Sequence, residues 1–185
     1  MNVEELQLPP SGLAQDLFTF ADTVSAEPQA PAAAPTRMET WVTFALAGES
    51  YALPVSSVLE ILRVAGITRV PHAPRVVRGV TNMRGKVLPV VDLRVRLGFE
   101  AAELGSQSRI LVASSRGRLL GLLVDAVQQV ERIDRNAVQP PPPDVMTAQS
   151  DYIIGVSQLG ERLVILLEVD LVLVVHESRA EGEQP

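Results

Sequence analysis

The feature that most constrains the fold of this chain is an internal repeat. The letters GVTNM at residues 79–83 return as GVSQL at residues 155–159, 76 positions later, and the apolar stretch after each copy also returns. Upstream, a second set of matching apolar and proline positions is separated by 69 residues. The sequence therefore predicts two similar halves, with roughly seven additional residues in the second half near residues 140–151.

Each half reads as short strands joined by tight turns. Residues 80–83 and 86–91 are apolar, β-branched runs that flank Arg84-Gly85. This pattern predicts a hairpin with a charged tip and a glycine where positive φ is needed. A second Arg-Gly pair, at residues 116 and 117, predicts another hairpin. Many short strands and little helix favour a mainly β protein made of two small barrels packed together.

A few short helical segments are predicted between the strands. Residues 55–62 follow a proline and have one apolar face, which predicts a short helix that runs into an extended segment near residues 60–63. Residues 124–127 repeat this helix, and residues 128–133 are predicted to be extended. Asp92, Asp125 and Asp170 each follow an apolar strand, which is typical of helix caps rather than of a catalytic set.

Charge and composition exclude several classes of protein. Residues 38–176 carry fourteen acidic and fourteen basic side chains, and 4% of the chain is aromatic, so the basic stripe and stacking surface of nucleic-acid-binding proteins are missing. The absence of cysteine excludes disulfides and thiolate metal sites and is compatible with a reducing cytoplasm. No basic leader region and no apolar run of about eighteen residues is present, so we expect no signal peptide and no membrane insertion.

The two ends of the chain differ from its middle. Residues 26–35 are rich in alanine and proline, which predicts an extended linker, and residues 13–24 predict either a short docking helix or a disordered tail. The predicted domains are a disordered extension at residues 1–37, a folded domain at residues 38–177 and a disordered tail at residues 178–185.

No residue pattern in the sequence is typical of an enzyme. A nucleophile with its base, paired carboxylates and a glycine-rich phosphate loop before a long helix are all missing. His72 and His176 lack a second ligand nearby, so we expect structural or solvated roles for them, and no metal or cofactor.

One difference between the halves suggests a functional site. Glu60 aligns with Gln129 and Arg84 with Gly160, so the first half carries an acid and a base that the second half lacks. Because a device needed only for folding would be repeated, we interpret Glu60 and Arg84 as part of a recognition site, as an ion pair or at its border. The alternative is two unrelated solvated charges, which are common on protein surfaces.

Three ordered motifs, VSSVLEILR, GVTNMRGKVLPVVDLR and GLLVDAVQQV, resemble the CheW family of chemotaxis coupling proteins, and the resemblance extends over residues 39–176. It implies two SH3-like five-stranded β-barrel subdomains. It also implies a cytoplasmic, non-enzymatic adaptor of receptor arrays, which joins the tips of methyl-accepting chemoreceptors to the regulatory domain of the histidine kinase CheA.

The resemblance also implies particular site residues. The family positions for receptor binding are Val58, Glu60, Arg84, Val124 and Val127, with the last two lining an apolar groove between the barrels, and the hairpin motif is Asn82, Arg84 and Gly85. The chain departs from the family pattern in residues 1–37 and in Met83, where leucine is usual. Two alternatives stay open: an adaptor of a chemosensory pathway that controls pili or another output, and a small-ligand-binding barrel.

Overall fold

A computed structural model describes residues 36–141 and 150–173 of the chain. The predicted docking helix at residues 13–24, the linker at residues 26–35 and the tail at residues 178–185 lie outside the described residues.

The described residues form ten strands and two short helices. In chain order they are β1 (Met38–Leu46), β2 (Glu49–Pro54), β3 (Val58–Arg63), β4 (Val77–Met83), β5 (Lys86–Asp92), α1 (Leu93–Arg96), β6 (Arg109–Ser115), β7 (Arg118–Val124), β8 (Ala126–Asp134), β9 (Ile153–Leu159), β10 (Arg162–Leu167) and α2 (Val169–Val172). Two 3-10 turns, Val55–Ser57 and Arg135–Ala137, follow β2 and β8.

The ten strands form two five-stranded sheets. The first sheet has the order β8-β1-β2-β10-β9 and the second has the order β3-β6-β7-β5-β4. Strands β2 and β10 pair in parallel, as do β5 and β7, whereas the other pairs are antiparallel. The predicted mainly β fold with two five-stranded units and few helices is therefore confirmed.

Within the described residues, neither sheet closes on itself through a continuous ladder, so both are open sheets. Among the described residues, β3 and β4 form the two ends of the second sheet and share no ladder. A single bridge joins the chain after β3 to β4, where Thr68 and Val80 exchange two N–H···O bonds of 2.8 Å. Gln139 and Val156 form the equivalent bridge in the first sheet. Each sheet is thus curled enough for its two ends to approach each other.

The two halves of the repeat are exchanged between the sheets. The first sheet combines β1 and β2 of the first half with β8, β9 and β10 of the second, and the second sheet combines the remaining strands. Equivalent backbone bonds support the alignment of the halves, since Asp92 N donates to Val76 O at 2.7 Å and Glu168 N donates to Tyr152 O at 2.8 Å. The repeat was evident in the sequence, but the exchange was not, because an apolar strand pattern does not specify its partner strand.

Tight turns set the register of the predicted hairpins. Arg84 and Gly85 have φ values of 52° and 82°, and Arg116 and Gly117 have values of 48° and 76°. Positive φ at both central residues is typical of the type I′ turn, whose twist matches that of paired strands. Both Arg-Gly hairpins were correctly predicted.

The predicted helices near residues 55–62 and 124–127 were wrong, whereas the extended segments predicted near residues 60–63 and at residues 128–133 are confirmed by β3 and β8. The first region contains only a 3-10 turn before β3, and the second contains the end of β7 and the start of β8. Apolar spacing over so few residues fits either period, and the β-branched side chains in both regions favour strands.

The three aspartates have different roles. Asp92 caps α1 as predicted, accepting hydrogen bonds from the backbone N–H groups of Arg94 at 3.1 Å and Val95 at 3.4 Å. Asp125 and Asp170 are not caps, contrary to the prediction. Asp170 accepts a bond of 2.5 Å from the Ser115 hydroxyl, and Asp125 joins separate parts of the fold through its contacts with Arg94 and the Ala47 backbone.

Among the described residues, three apolar clusters hold the fold together. The largest is shared by the two sheets and includes Phe44 and Leu53 of the first sheet with Leu111 and Leu122 of the second. Two smaller clusters each consist of residues from one sheet, one around the fully buried Trp41 and the other around Leu88. A buried aliphatic side chain contributes roughly 1.5–3 kcal/mol, so the shared cluster is a major attachment between the sheets.

Candidate interaction site

Glu60 and Arg84 form an ion pair. Glu60 lies in β3 and Arg84 lies at the tip of the β4–β5 hairpin, with Arg84 Nη2 2.9 Å from Glu60 Oε1. These two strands are at opposite ends of the second sheet, so the curl of the sheet brings the side chains together. The ion pair that the difference between the halves suggested is therefore present.

The hairpin motif holds Arg84 in place. Asn82 Oδ1 accepts a hydrogen bond of 2.8 Å from the Gly85 N–H, which replaces a backbone partner within the turn. Gly85 adopts a φ of 82°, a conformation that glycine reaches without steric penalty. Asn82 and Gly85 thus fix the direction in which Arg84 leaves the hairpin.

The pair is available to a partner. The Arg84 side chain is 78% exposed and the Glu60 side chain is 32% exposed. An exposed pair contributes only about 0–1 kcal/mol to folding. The guanidinium has five N–H donors, so it can hold Glu60 and still bind a carboxylate or carbonyl oxygen of another molecule.

A small cavity of about 230 Å³ lies beside this pair. Its apolar wall includes Leu62 and Ile110, which face each other across the β3–β6 ladder, together with Met83. The sequence did not indicate these wall residues, because the β3–β6 pairing joins one half of the repeat to the other. The cavity offers apolar contact next to an exposed charge, a combination common at recognition sites.

The three valines implicated by the resemblance have different environments. Val58 and Val127 are equivalent in the repeat, and both are half-buried at the margin of the shared apolar cluster. Val124 is 1% exposed and lies inside that cluster. The structure therefore leaves Val58 and Val127 partly accessible, whereas the Val124 side chain does not reach the surface.

The described residues contain no group of three or more histidine, cysteine, aspartate or glutamate side chains that could hold a metal ion. Within the same part of the chain, the helices are too short to cross a membrane. His72 has a φ of 58° and lies in the segment before β4.

Comparison with known proteins defines the family. The model of the CheW-like domain matches residues 40–177, so the chain belongs to the CheW-like domain family. Chemotaxis protein CheW from Rhizobium meliloti is 35% identical over 139 residues, which cover 75% of this chain and 90% of the relative. Protein FrzA from Myxococcus xanthus is 32% identical over 130 residues, which cover 69% of this chain and 81% of the relative.

The fold comparison gives the same family. The crystal structure of the scaffolding protein TtCheW from Thermoanaerobacter tengcongensis superposes with a TM-score of 0.69 and 34% sequence identity. The match covers 75% of this chain and 94% of TtCheW.

Proposed function

We propose that this protein is a non-enzymatic chemotaxis adaptor that couples methyl-accepting chemoreceptors to the histidine kinase CheA in signalling arrays on the cytoplasmic side of the membrane. Membership in the CheW-like family and the similarity to a scaffolding protein support this function. The observation that carries it is the exposed Glu60–Arg84 pair, because an exposed pair of 2.9 Å that only one half of the repeat contains is poorly explained by folding alone.

The proposed receptor-binding surface consists of the Glu60–Arg84 pair and the half-buried valines Val58 and Val127. Arg84 supplies polar contacts and orientation, and the valines supply apolar area that a partner can cover. Val124 supports this surface from inside the shared cluster.

The regulatory domain of CheA is proposed to bind elsewhere on the sheets. An adaptor must hold both partners at once, so the two contacts require separate surfaces. Mutations of the Glu60–Arg84 pair should therefore weaken receptor binding more than CheA binding.

We also propose the finer description of the fold as two SH3-like barrels within a domain that spans residues 38–177. The isolated bridges Thr68–Val80 and Gln139–Val156, which connect the ends of the sheets, support this description. Each curled sheet has its own apolar cluster on its inner face. These side chains fill the space in which a small-ligand-binding barrel would hold its ligand. The adaptor is thus favoured over the ligand-binding barrel.

A titration with purified components tests the proposal. The protein is added to CheA and a soluble cytoplasmic fragment of a chemoreceptor, and complex formation and CheA autophosphorylation are followed. We expect the protein to bind CheA and the receptor fragment separately. It should raise CheA autophosphorylation only when the receptor fragment is also present. Failure to bind either partner would contradict the proposed function.

A further inference from the structure

A second candidate site lies in the first half, away from the Glu60–Arg84 pair. It is an open cleft of about 990 Å³ between the segment that precedes β4 and the segment that follows α1. The side chains that matter for its chemistry are Arg69, Val70, Arg75, Arg78, Phe99 and Glu100. None of them belongs to the proposed receptor-binding surface.

The backbone shows which residues of the second half correspond to this cleft. The turn before β4 contains a bond of 2.8 Å from Val77 N to Pro74 O, and the turn before β9 contains a bond of 3.0 Å from Ile153 N to Ser150 O. The turns are therefore equivalent, as are the bridges that involve Thr68 and Gln139. With this alignment, Arg69, Arg75 and Arg78 correspond to Pro140, Asp151 and Ile154.

The fold therefore does not require these arginines. The equivalent positions hold a proline (Pro140), a carboxylate (Asp151) and an apolar side chain (Ile154). The backbone hydrogen bonds of the two halves are nevertheless the same. Three arginines that the equivalent positions of the second half lack are better explained by binding than by folding.

Two of the three guanidinium groups are available. Arg78 lies 3.6 Å from Asp92 and also donates to Ala102 O at 3.4 Å. Within residues 36–141 and 150–173, Arg69 and Arg75 form no ion pair or side-chain hydrogen bond, and both are exposed. The cleft contains two carboxylates. Asp92 already contacts Arg78 and caps α1, so Glu100 is the carboxylate of the cleft that is not engaged in this way.

The cleft also has apolar walls. Val70 is 43% exposed and Phe99 is 38% exposed, and both line it. His72 also lines the cleft, with a φ of 58° that non-glycine residues rarely adopt. Unusual backbone conformations are concentrated at functional sites, so this observation is consistent with binding.

We propose that this cleft binds an acidic segment of a partner protein that also carries apolar side chains. Guanidinium groups bind carboxylates with two parallel hydrogen bonds, and Val70 and Phe99 can cover apolar side chains of the same segment. The concave shape favours a peptide over the flat surface of a membrane. Because the whole chain has a formal charge of −6, a local cationic cleft also directs an acidic partner to one place.

Fluorescence anisotropy of the full chain with a labelled peptide of alternating glutamate and leucine tests this inference. The double variant Arg69→Ala/Arg75→Asp removes both available cations, and its aspartate is the residue that the second half has at the equivalent position. Arg132→Ala is the control for loss of a surface arginine, because Arg132 is an exposed arginine of β8 outside the cleft. Thermal melting followed by the fluorescence of Trp41 verifies that each variant is folded.

We expect the double variant to bind about tenfold more weakly and the control to bind as the unaltered protein does. Added salt should weaken binding, and a peptide of glutamate alone should bind less tightly. Equal losses in the control and the double variant would overturn the inference, as would equal binding of the glutamate peptide. Displacement by inorganic phosphate at constant ionic strength would instead identify a small-anion site. Arginine-dependent binding to phosphatidylserine vesicles without peptide binding would identify a membrane contact.

Discussion

Arg94 and Asp125 form a bidentate ion pair that links α1 to the end of β7. Arg94 Nε lies 2.7 Å from Asp125 Oδ1, and Nη2 lies 2.5 Å from Oδ2. Asp125 Oδ2 also accepts a bond of 2.8 Å from the Ala47 N–H, in the β1–β2 turn of the other sheet. One carboxylate thus connects the two sheets.

The pKa of Asp125 is lower than its usual value. Partial burial opposes ionisation of the carboxyl, but the hydrogen bonds from Arg94 and Ala47 and the charge of Arg94 outweigh this effect. The charged form of Asp125 is therefore stabilised by folding.

The first prediction is that Asp125→Asn lowers the free energy of unfolding by about 1 kcal/mol at neutral pH. Because the folded-state pKa is lowered, this stabilisation is present above the unfolded pKa of about 3.9 and is lost as pH falls through the folded pKa. The measurement is urea unfolding monitored by Trp41 fluorescence at neutral and acidic pH. The difference in unfolding free energy between the unaltered protein and Asp125→Asn should become smaller in acid. The control variant Glu161→Gln, at the exposed β9–β10 tip, should leave the unfolding free energy unchanged. A gap of constant size would refute the role of this ion pair.

The second prediction concerns two glycines with positive φ. A Cβ atom at Gly79 would lie 2.3 Å from Thr68 O, whereas a Cβ atom at Gly85 would have no neighbour within 4 Å. We expect Gly79→Ala to lower the free energy of unfolding by about 3 kcal/mol or more, and Gly85→Ala by about 1 kcal/mol, from backbone strain alone. Denaturant unfolding of both variants shows whether Gly79→Ala loses more unfolding free energy than Gly85→Ala. Equal losses would mean that the close approach to Thr68 is unimportant.

The third prediction separates buried from accessible valines. Val124→Asp would place an unpaired carboxylate inside the shared cluster, which costs several kcal/mol, so binding of both partners should fall together with the melting temperature. Val127→Asp, at the margin of the cluster, should weaken receptor binding with a smaller effect on stability. If Val124→Asp keeps its melting temperature, the placement of Val124 in the core is wrong.

Local sequence signals predicted much of the fold. The Arg84-Gly85 and Arg116-Gly117 turns were evident because type I′ turns require particular residues at adjacent positions. The Asp92 cap was predictable for the same reason, since it acts on backbone N–H groups two and three residues further along the chain. The Glu60–Arg84 pair could be suggested because it is missing from the second half of the repeat.

Relationships between distant residues could not be predicted in this way. The link between Asp125 and Ala47 crosses from one sheet to the other, and no local pattern indicates it. The exchange of strands between the halves has the same origin, because it depends on pairing between distant segments. Residues 58–62 form a strand rather than a helix because they pair with β6, which lies about fifty residues further along the chain.

The most direct test of the adaptor function compares two arginines at hairpin tips of the same turn type. Arg84 and Arg116 both precede a glycine in a turn with positive φ, but only Arg84 forms the pair with Glu60. Receptor-dependent CheA kinase activity is measured in complexes assembled with Arg84→Ala or Arg116→Ala, alongside the melting temperature of each variant. We predict that Arg84→Ala lowers assembly and kinase activation about tenfold with a nearly unchanged melting temperature, whereas Arg116→Ala has no effect. Normal receptor binding and kinase activation by Arg84→Ala would contradict the account.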